Sequence, residues 1–283
     1  MESKKLRRSF VLAIIALLAL LTVAVSTTLA WYIFTVNAHT TKLHMAAGTS
    51  VSLQISNEEN GEYSSSVSLE KFQGTLNPVS TDCIQEGFQK VTGFTRASAT
   101  APLLANLFGE SLEMEKDYYK TSLYFRTNGG ELNVYLANIG FTDQDEETPI
   151  SAAIRVGFVI PSTGEEHIFV ISDKKIPEEK REYNTATGSE GCVLDASYTD
   201  GTTVAFTPLN ADNYCEYDAA TGAVSLKSAS KALCTVKGGS DGYGQPVQMD
   251  VYIWLEGCDE DCTNALCGAT LEDLALSFAG FSE

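Results

Sequence analysis

The chain reads as an all-β protein, an antiparallel β-sandwich or jelly roll preceded by an N-terminal hydrophobic signal or anchor helix. Three observations carry that expectation. Apolar residues alternate with period two through most of the chain, short runs of this kind are divided by turn residues, and the one long apolar run, residues 10–25, lies at the start behind a basic flank.

The apolar run comes first. Lys4, Lys5, Arg7 and Arg8 precede it and Thr22 is its only polar residue, the layout of a secretory signal peptide. As a helix at about 1.5 Å per residue it spans about 24 Å, short of a hydrocarbon core of about 30 Å. Ser26, Thr27 and Thr28 then interrupt it, and Thr28 and Ala30 are small residues at the −3 and −1 places that a signal peptidase reads, so cleavage is expected before Trp31. The other reading is a retained anchor that extends to about residue 36, with Trp31 and Tyr32 at the lipid interface. Either way residues 31–283 form a single domain outside the cytoplasm, extracellular or on the cell surface, and membrane contact is confined to the N-terminal helix.

Two strands are the most regular. In "ISAAIRVGFVI", Ile150, Ala152, Ile154, Val156, Phe158 and Ile160 alternate with residues that include Ser151, Arg155 and Gly157. In "VQMDVYIWLE", Val247, Met249, Val251, Ile253 and Leu255 point inward against Gln248, Asp250, Tyr252, Trp254 and Glu256. A charge at Ile253 is therefore expected to unfold the domain, and Asp250→Asn to matter little. "SVSLQI" and "LALSF" add strands through Val51, Leu53 and Ile55 and through Leu274, Leu276 and Phe278.

Turn residues suggest how the strands connect. Asn128-Gly129 predicts a tight hairpin, Pro161 to Gly164 a second reversal, and Asp200-Gly201 and Thr221-Gly222 two more. "PLLANLF", residues 102–108, reads as the best helix after the N-terminal one, with Pro102 in the first turn and Gly109 as a stop. Residues 143–149 and 173–182 read as exposed acidic loops.

The net charge is −18, and residues 1–30 contribute +3 to it (Lys4, Lys5, Arg7 and Arg8 against Glu2), which leaves −21 on the rest. Such a surface repels phosphate backbones and anionic lipid, so nucleic acid is not an expected partner. Solubility outside the cell explains the charge, with weak calcium binding as the sharper alternative. The loop "TDQDEET" has alternating carboxylates but lacks the Gly and Glu of a calcium loop, and reads as a solvated turn.

Seven cysteines, at 83, 192, 215, 234, 258, 262 and 267, leave one over if the others pair. Cys258, Cys262 and Cys267 could offer thiolates to zinc, but their spacing lacks paired C-x2-C knuckles. A local disulfide, or buried thiols, is the expectation. The chain has no G-x-S-x-G elbow, phosphate loop or H-E-x-x-H helix, and its three histidines, His39, His44 and His167, accompany no nucleophile motif. No cofactor and no enzymatic activity are expected; a hydrolase with its site assembled from distant residues is the weakest rival.

At its ends the chain resembles a family. "STTLAWYIFT" is similar to the signal region of Firmicute proteins processed by the SipW-type signal peptidase, and "VYIWLEGCDEDCTNAL" resembles a C-terminal segment of secreted proteins with that signal. "YYKTSLYFRT" and "AAIRVGFVI" fit the same pattern, and the TasA and camelysin biofilm-fibre proteins are the best-understood relatives. The resemblance implies a jelly-roll domain deposited in extracellular matrix, with residues 31–43 as a donor strand that completes a neighbour's sheet. Trp31, Tyr32, Ile33 and Phe34 would then drive self-association, and the signal peptidase would be a partner during export. The rival is a membrane-tethered module that binds a surface ligand such as a glycan through Tyr252 and Trp254.

Replacing Ala30 with a bulky residue is expected to block processing and leave the protein in the membrane fraction. Fractionation and the mature mass check this, and unchanged release would contradict it.

Overall fold

The computed structural model describes residues 37–38, 53–67, 76–95, 104–108, 112, 117–181, 192–193, 208–218, 220–221, 223–240, 242–266 and 269–282, all within the compact unit Thr35–Glu283. Its strands are β1 (Asn37–Ala38), β2 (Gln54–Ser56), β3 (Pro78–Ser80), β4 (Gln89–Thr95), β5 (Leu104–Phe108), β6 (Tyr119–Arg126), β7 (Leu132–Asp143) and β8 (Ile154–Ile160). They continue with β9 (Glu165–Val170), β10 (Cys192–Val193), β11 (Glu216–Asp218), β12 (Ala223–Ser225), β13 (Ala232–Val236), β14 (Val247–Glu256) and β15 (Thr270–Phe281). The described residues are all-β, and the helical elements among them are single 3-10 turns.

One sheet runs β1-β15-β7-β13, a second contains nine strands, and β11 and β12 form a small hairpin. β14 is the centre of the large sheet. It pairs antiparallel with β6 over Val247 to Ile253 and with β8 over Asp250 to Leu255, and its last two residues run parallel to β3. The bounds expected for β14 are those observed, because ten residues of strict alternation can satisfy only one register when one face is buried.

Met249, Val251, Ile253 and Leu255 are buried, in line with Ile154, Val156 and Phe158 of β8. This face meets the other sheet through aromatic edges: Phe278 of β15 lies 5.1 Å from Phe125 of β6 and 5.8 Å from Phe158. Leu274, Leu276 and Phe278 are buried as expected, as are Leu53 and Ile55; Val51 lies outside the described residues.

The opposite face of β14 is where expectation and structure part. Trp254 is 0% exposed and Asp250 and Glu256 are also buried, while Tyr252 is half-buried. The cover consists of Val79, the 3-10 turn Ile84–Glu86, Phe88, Leu112 and Tyr118, packed on Trp254 and on Val159 and Ile168 of β8 and β9. Phe88 stacks on Tyr118 at 4.9 Å and meets Trp254 edge-on at 5.2 Å. Gly157 makes room for this layer, since a Cβ there would collide with Ile84 and press within 3.0 Å of the Trp254 ring. Every residue of β8 is therefore buried, not one face of it, and residues 150–152 form a 3-10 turn ahead of the strand.

Three connections also differ or agree for physical reasons. β6 and β7 lie in different sheets, so Asn128-Gly129 turns a corner between sheets and does not close a hairpin; the positive-φ glycines are Gly87, Gly164 and Gly242. Pro161 to Gly164 does close the β8–β9 hairpin, with Gly164 at φ 74° and its N–H donating to Ile160 O at 2.8 Å. The reversal at Thr221 joins β11 to β12, and Asp200-Gly201 falls outside the described residues. Residues 104–108, expected in a helix, form β5 paired with β4, an apolar run whose local signal is outweighed by sheet pairing.

Asp250 is buried but matched: Lys120 Nζ lies at 2.8 Å, and Ser122 Oγ and Gln248 Nε2 donate at 2.7 and 2.8 Å. Burial alone would raise its pKa, yet these donors outweigh burial and hold it below the ordinary carboxylate value. The same contact, with Tyr252, pushes Lys120 up against the effect of its own burial. A depressed carboxylate contributes stability that is present above the unfolded value of about 3.9 and is lost as pH falls through the folded value. We expect Ile253→Asp to unfold the domain and Asp250→Asn to cost about 1–2 kcal/mol near neutral pH, the gap to the parent closing below about pH 4. Urea melts across pH check this, and an Asp250→Asn gap that stays constant into acid would contradict it.

Candidate functional site

The end of β14 and the turn that follows it, residues 256–262, carry three carboxylates that are almost fully buried: Glu256, Asp259 and Asp261. Each has a separate task. Glu256 accepts from Trp254 Nε1 and from the Cys258 N–H, both at 2.9 Å, and so fixes the indole while it starts the turn. Asp259 accepts the Asp261 N–H at 2.8 Å and pairs with Arg155, which is itself 1% exposed and also donates to the carbonyls of Ala152 and Ile154.

Asp261 reaches the strap that leaves β9. It accepts the Ile176 N–H at 3.0 Å and pairs with Arg181 at 2.9 Å and Lys175 at 3.2 Å, and Glu260 binds the same two cations from outside. A second acidic loop holds the strap from its other side. Asp143 caps the 3-10 turn through Ser151 N and Oγ and pairs with Lys174 at 3.1 Å; Glu146 also pairs with Lys174, and Glu147 with Lys180. The two loops expected to be separately exposed are therefore clasped together, and Asp143 is buried.

In "TDQDEET", Asp145 accepts from Glu147 N and Thr148 Oγ1, which holds its carboxyl below the usual range. The neighbouring carboxylates face lysines, so a cation would have to compete with them. Among the described residues no group of three or more His, Cys, Asp or Glu is arranged to hold a metal ion.

Above the Arg155–Asp259 pair opens a cleft of about 520 Å³. Phe141 and Tyr214 contribute aromatic walls, Ile171 to Lys175 form one side, and the 3-10 turn Ala211–Asn213 forms another. Tyr214 anchors that side by donating to Val170 O at 3.1 Å.

The residues singled out from the sequence fare differently. Thr28, Ala30, Trp31, Tyr32, Ile33 and Phe34 lie outside the described residues, as do His39 and His44. Of residues 31–43 only Asn37 and Ala38 are described, and they pair in parallel with Thr270 and Leu271 at the edge of β15 in the same chain. Among the described residues no helix is long and apolar enough to cross a membrane, and residues 10–25 are not among them. His167 is half-buried on β9, where desolvation holds its imidazole below the ordinary value.

Cys258 and Cys262 are buried thiols, not a disulfide, and Cys267 lies outside the described residues. Burial raises the Cys215 thiol to about 11 and Cys234 to about 12, and pushes Cys262 well above its usual value. Cys83 is half-buried. Arg155, Glu256, Asp259, Asp261 and the strap lysines were not singled out. The available signal was Arg155, a charge inside an otherwise apolar run, which calls for a buried counter-charge.

No family model, no curated protein and no solved structure matches the chain.

Because Asp259 faces a buried guanidinium, Asp259→Asn should destabilise the domain by about 3–5 kcal/mol, as an unpaired buried charge does. The double variant Arg155→Met with Asp259→Leu should recover most of that loss. Thermal melts decide, and additive effects of the two substitutions would contradict the pairing.

Proposed function

We propose that this chain is a non-enzymatic secreted or cell-surface structural protein that self-associates as a component of extracellular or biofilm matrix. On this reading it is a jelly-roll domain exported behind a hydrophobic signal, cut before Trp31 by a signal peptidase, or held at the surface by that helix where it is retained. The pairing of Asn37–Ala38 with Thr270–Leu271 is the observation that carries the proposal. It places the chain just beyond the expected cut on a sheet edge, and that edge belongs to a strand of twelve residues of which β1 occupies two.

Among the described residues no other strand lies on that side of β15. An edge of this length can take an extended segment through main-chain hydrogen bonds, each large apolar side chain adding about 1.5–3 kcal/mol when buried. Within one molecule the segment caps its own sheet; between molecules the same contact links copies. The strongly negative surface keeps nucleic acid away and makes edge pairing, not charge attraction, the source of contact.

The tethered binding module remains the alternative, but Trp254 cannot be its contact, because it is covered and committed to Glu256, and Tyr252 is half-buried. Sedimentation separates the readings. Protein that begins at Trp31 should form oligomers as concentration rises, and protein lacking residues 31–43 should stay a folded monomer. Strictly monomeric behaviour of the longer form, with its fold intact, would overturn the assembly reading.

A further inference from the structure

The cleft over Arg155 and Asp259 is independent of the edge on which assembly rests, and its chemistry is specific. Its volume, about 520 Å³, falls within the range of about 300–1,000 Å³ used for small ligands. Lys174 and Lys175 line it. An ammonium has three N–H donors. Lys174 spends two on Asp143 and Glu146, and Lys175 spends one on Glu260 while its contact with Asp261 is an ion pair without a hydrogen bond, so each keeps at least one donor.

Asp173, on the same strap, and Asp212, on the 3-10 turn, line the cleft as well, both exposed, and among the described residues no cation or hydrogen-bond donor engages either carboxylate. The cleft therefore presents lysine donors and open carboxylate acceptors together, beside the half-buried ring of Phe141, over which Lys174 Nζ lies at 5.9 Å. A hydroxyl group both donates and accepts, so vicinal hydroxyls can accept a hydrogen bond from a lysine and donate one to an aspartate at once.

Charge decides against an anion. The lining balances, Arg155, Lys174 and Lys175 against Asp173, Asp212 and Asp259, so it offers an anion no net attraction. The protein around it carries a net charge of −18, which repels one. We propose that the cleft is a binding site for the neutral, polyhydroxylated end of a glycan, held by Lys174, Lys175, Asp173 and Asp212 with a sugar face on Phe141. Arg155 and Asp259 form its rigid floor.

The test is a titration of the whole chain with matched panels of neutral hexo-oligosaccharides and hexuronate oligosaccharides, followed by calorimetry and ligand-observed NMR. At least one neutral member should bind saturably below about 10 mM, and more tightly than its uronate counterpart. The double variant Asp173→Ala with Asp212→Ala should keep the melting temperature, because neither carboxylate holds the fold, and should weaken binding about ten- to a hundredfold. No saturable binding of any neutral member, tighter binding of the uronates, or binding that the double variant leaves intact would each overturn the proposal.

Discussion

Arg155 lies under the end of β14 with almost no access to water, and Asp259 is the carboxylate that pairs with it. Much of the outer layer depends on that pair. Stripping water from both charges costs several kcal/mol each, which their attraction returns only if the geometry is held. The turn after β14 holds it: Asp259 also takes the Asp261 N–H, Asp261 takes the strap at Ile176, and Glu256 fixes Trp254. One ten-residue segment, residues 254–263, thus sets the indole, the turn and the strap in a single arrangement. Hydrophobic residues of equal volume would serve stability as well, so we attribute the charges to specificity of arrangement.

Strands with one face in the central core were legible. β14 and β15 show simple alternation, and the Pro161 to Gly164 turn has a glycine at positive φ. What escaped is what depends on a third layer. Nothing local in "VQMDVYIWLE" tells that Trp254 and Asp250 are covered, because the covering residues, Val79, Ile84, Phe88 and Tyr118, lie far away in sequence. The run 102–108 reads locally as a helix, yet residues 104–108 pair with β4 as a strand. Asn128-Gly129 marks a reversal, but a reversal does not specify whether the next strand joins the same sheet.

The site was harder to read for the same reason. The acidic runs at 143–147 and 259–261 look alike in composition to a solvated surface, and only tertiary structure shows that the strap lysines lie between them. The cysteines of "CDEDCTNALC" drew attention, whereas the aspartates between them carry the contacts. Cys258 and Cys262 are buried beside carboxylates that further discourage a thiolate at Cys262.

These features divide the molecule into a domain whose outer face is closed by its own cover and a sheet edge on which, among the described residues, only β1 lies. The cover removes Trp254 from any surface role, and the edge of β15 pairs with Asn37–Ala38 of its own chain; on the proposed reading the same edge takes that segment of a neighbour. Hydrogen–deuterium exchange across β15 as a function of protein concentration tests this most directly. Edge pairing between molecules predicts that amides within Thr270–Phe281 gain protection as concentration rises while those of β14 do not change. Protection of β15 that is the same at every concentration, while larger species form, would contradict it.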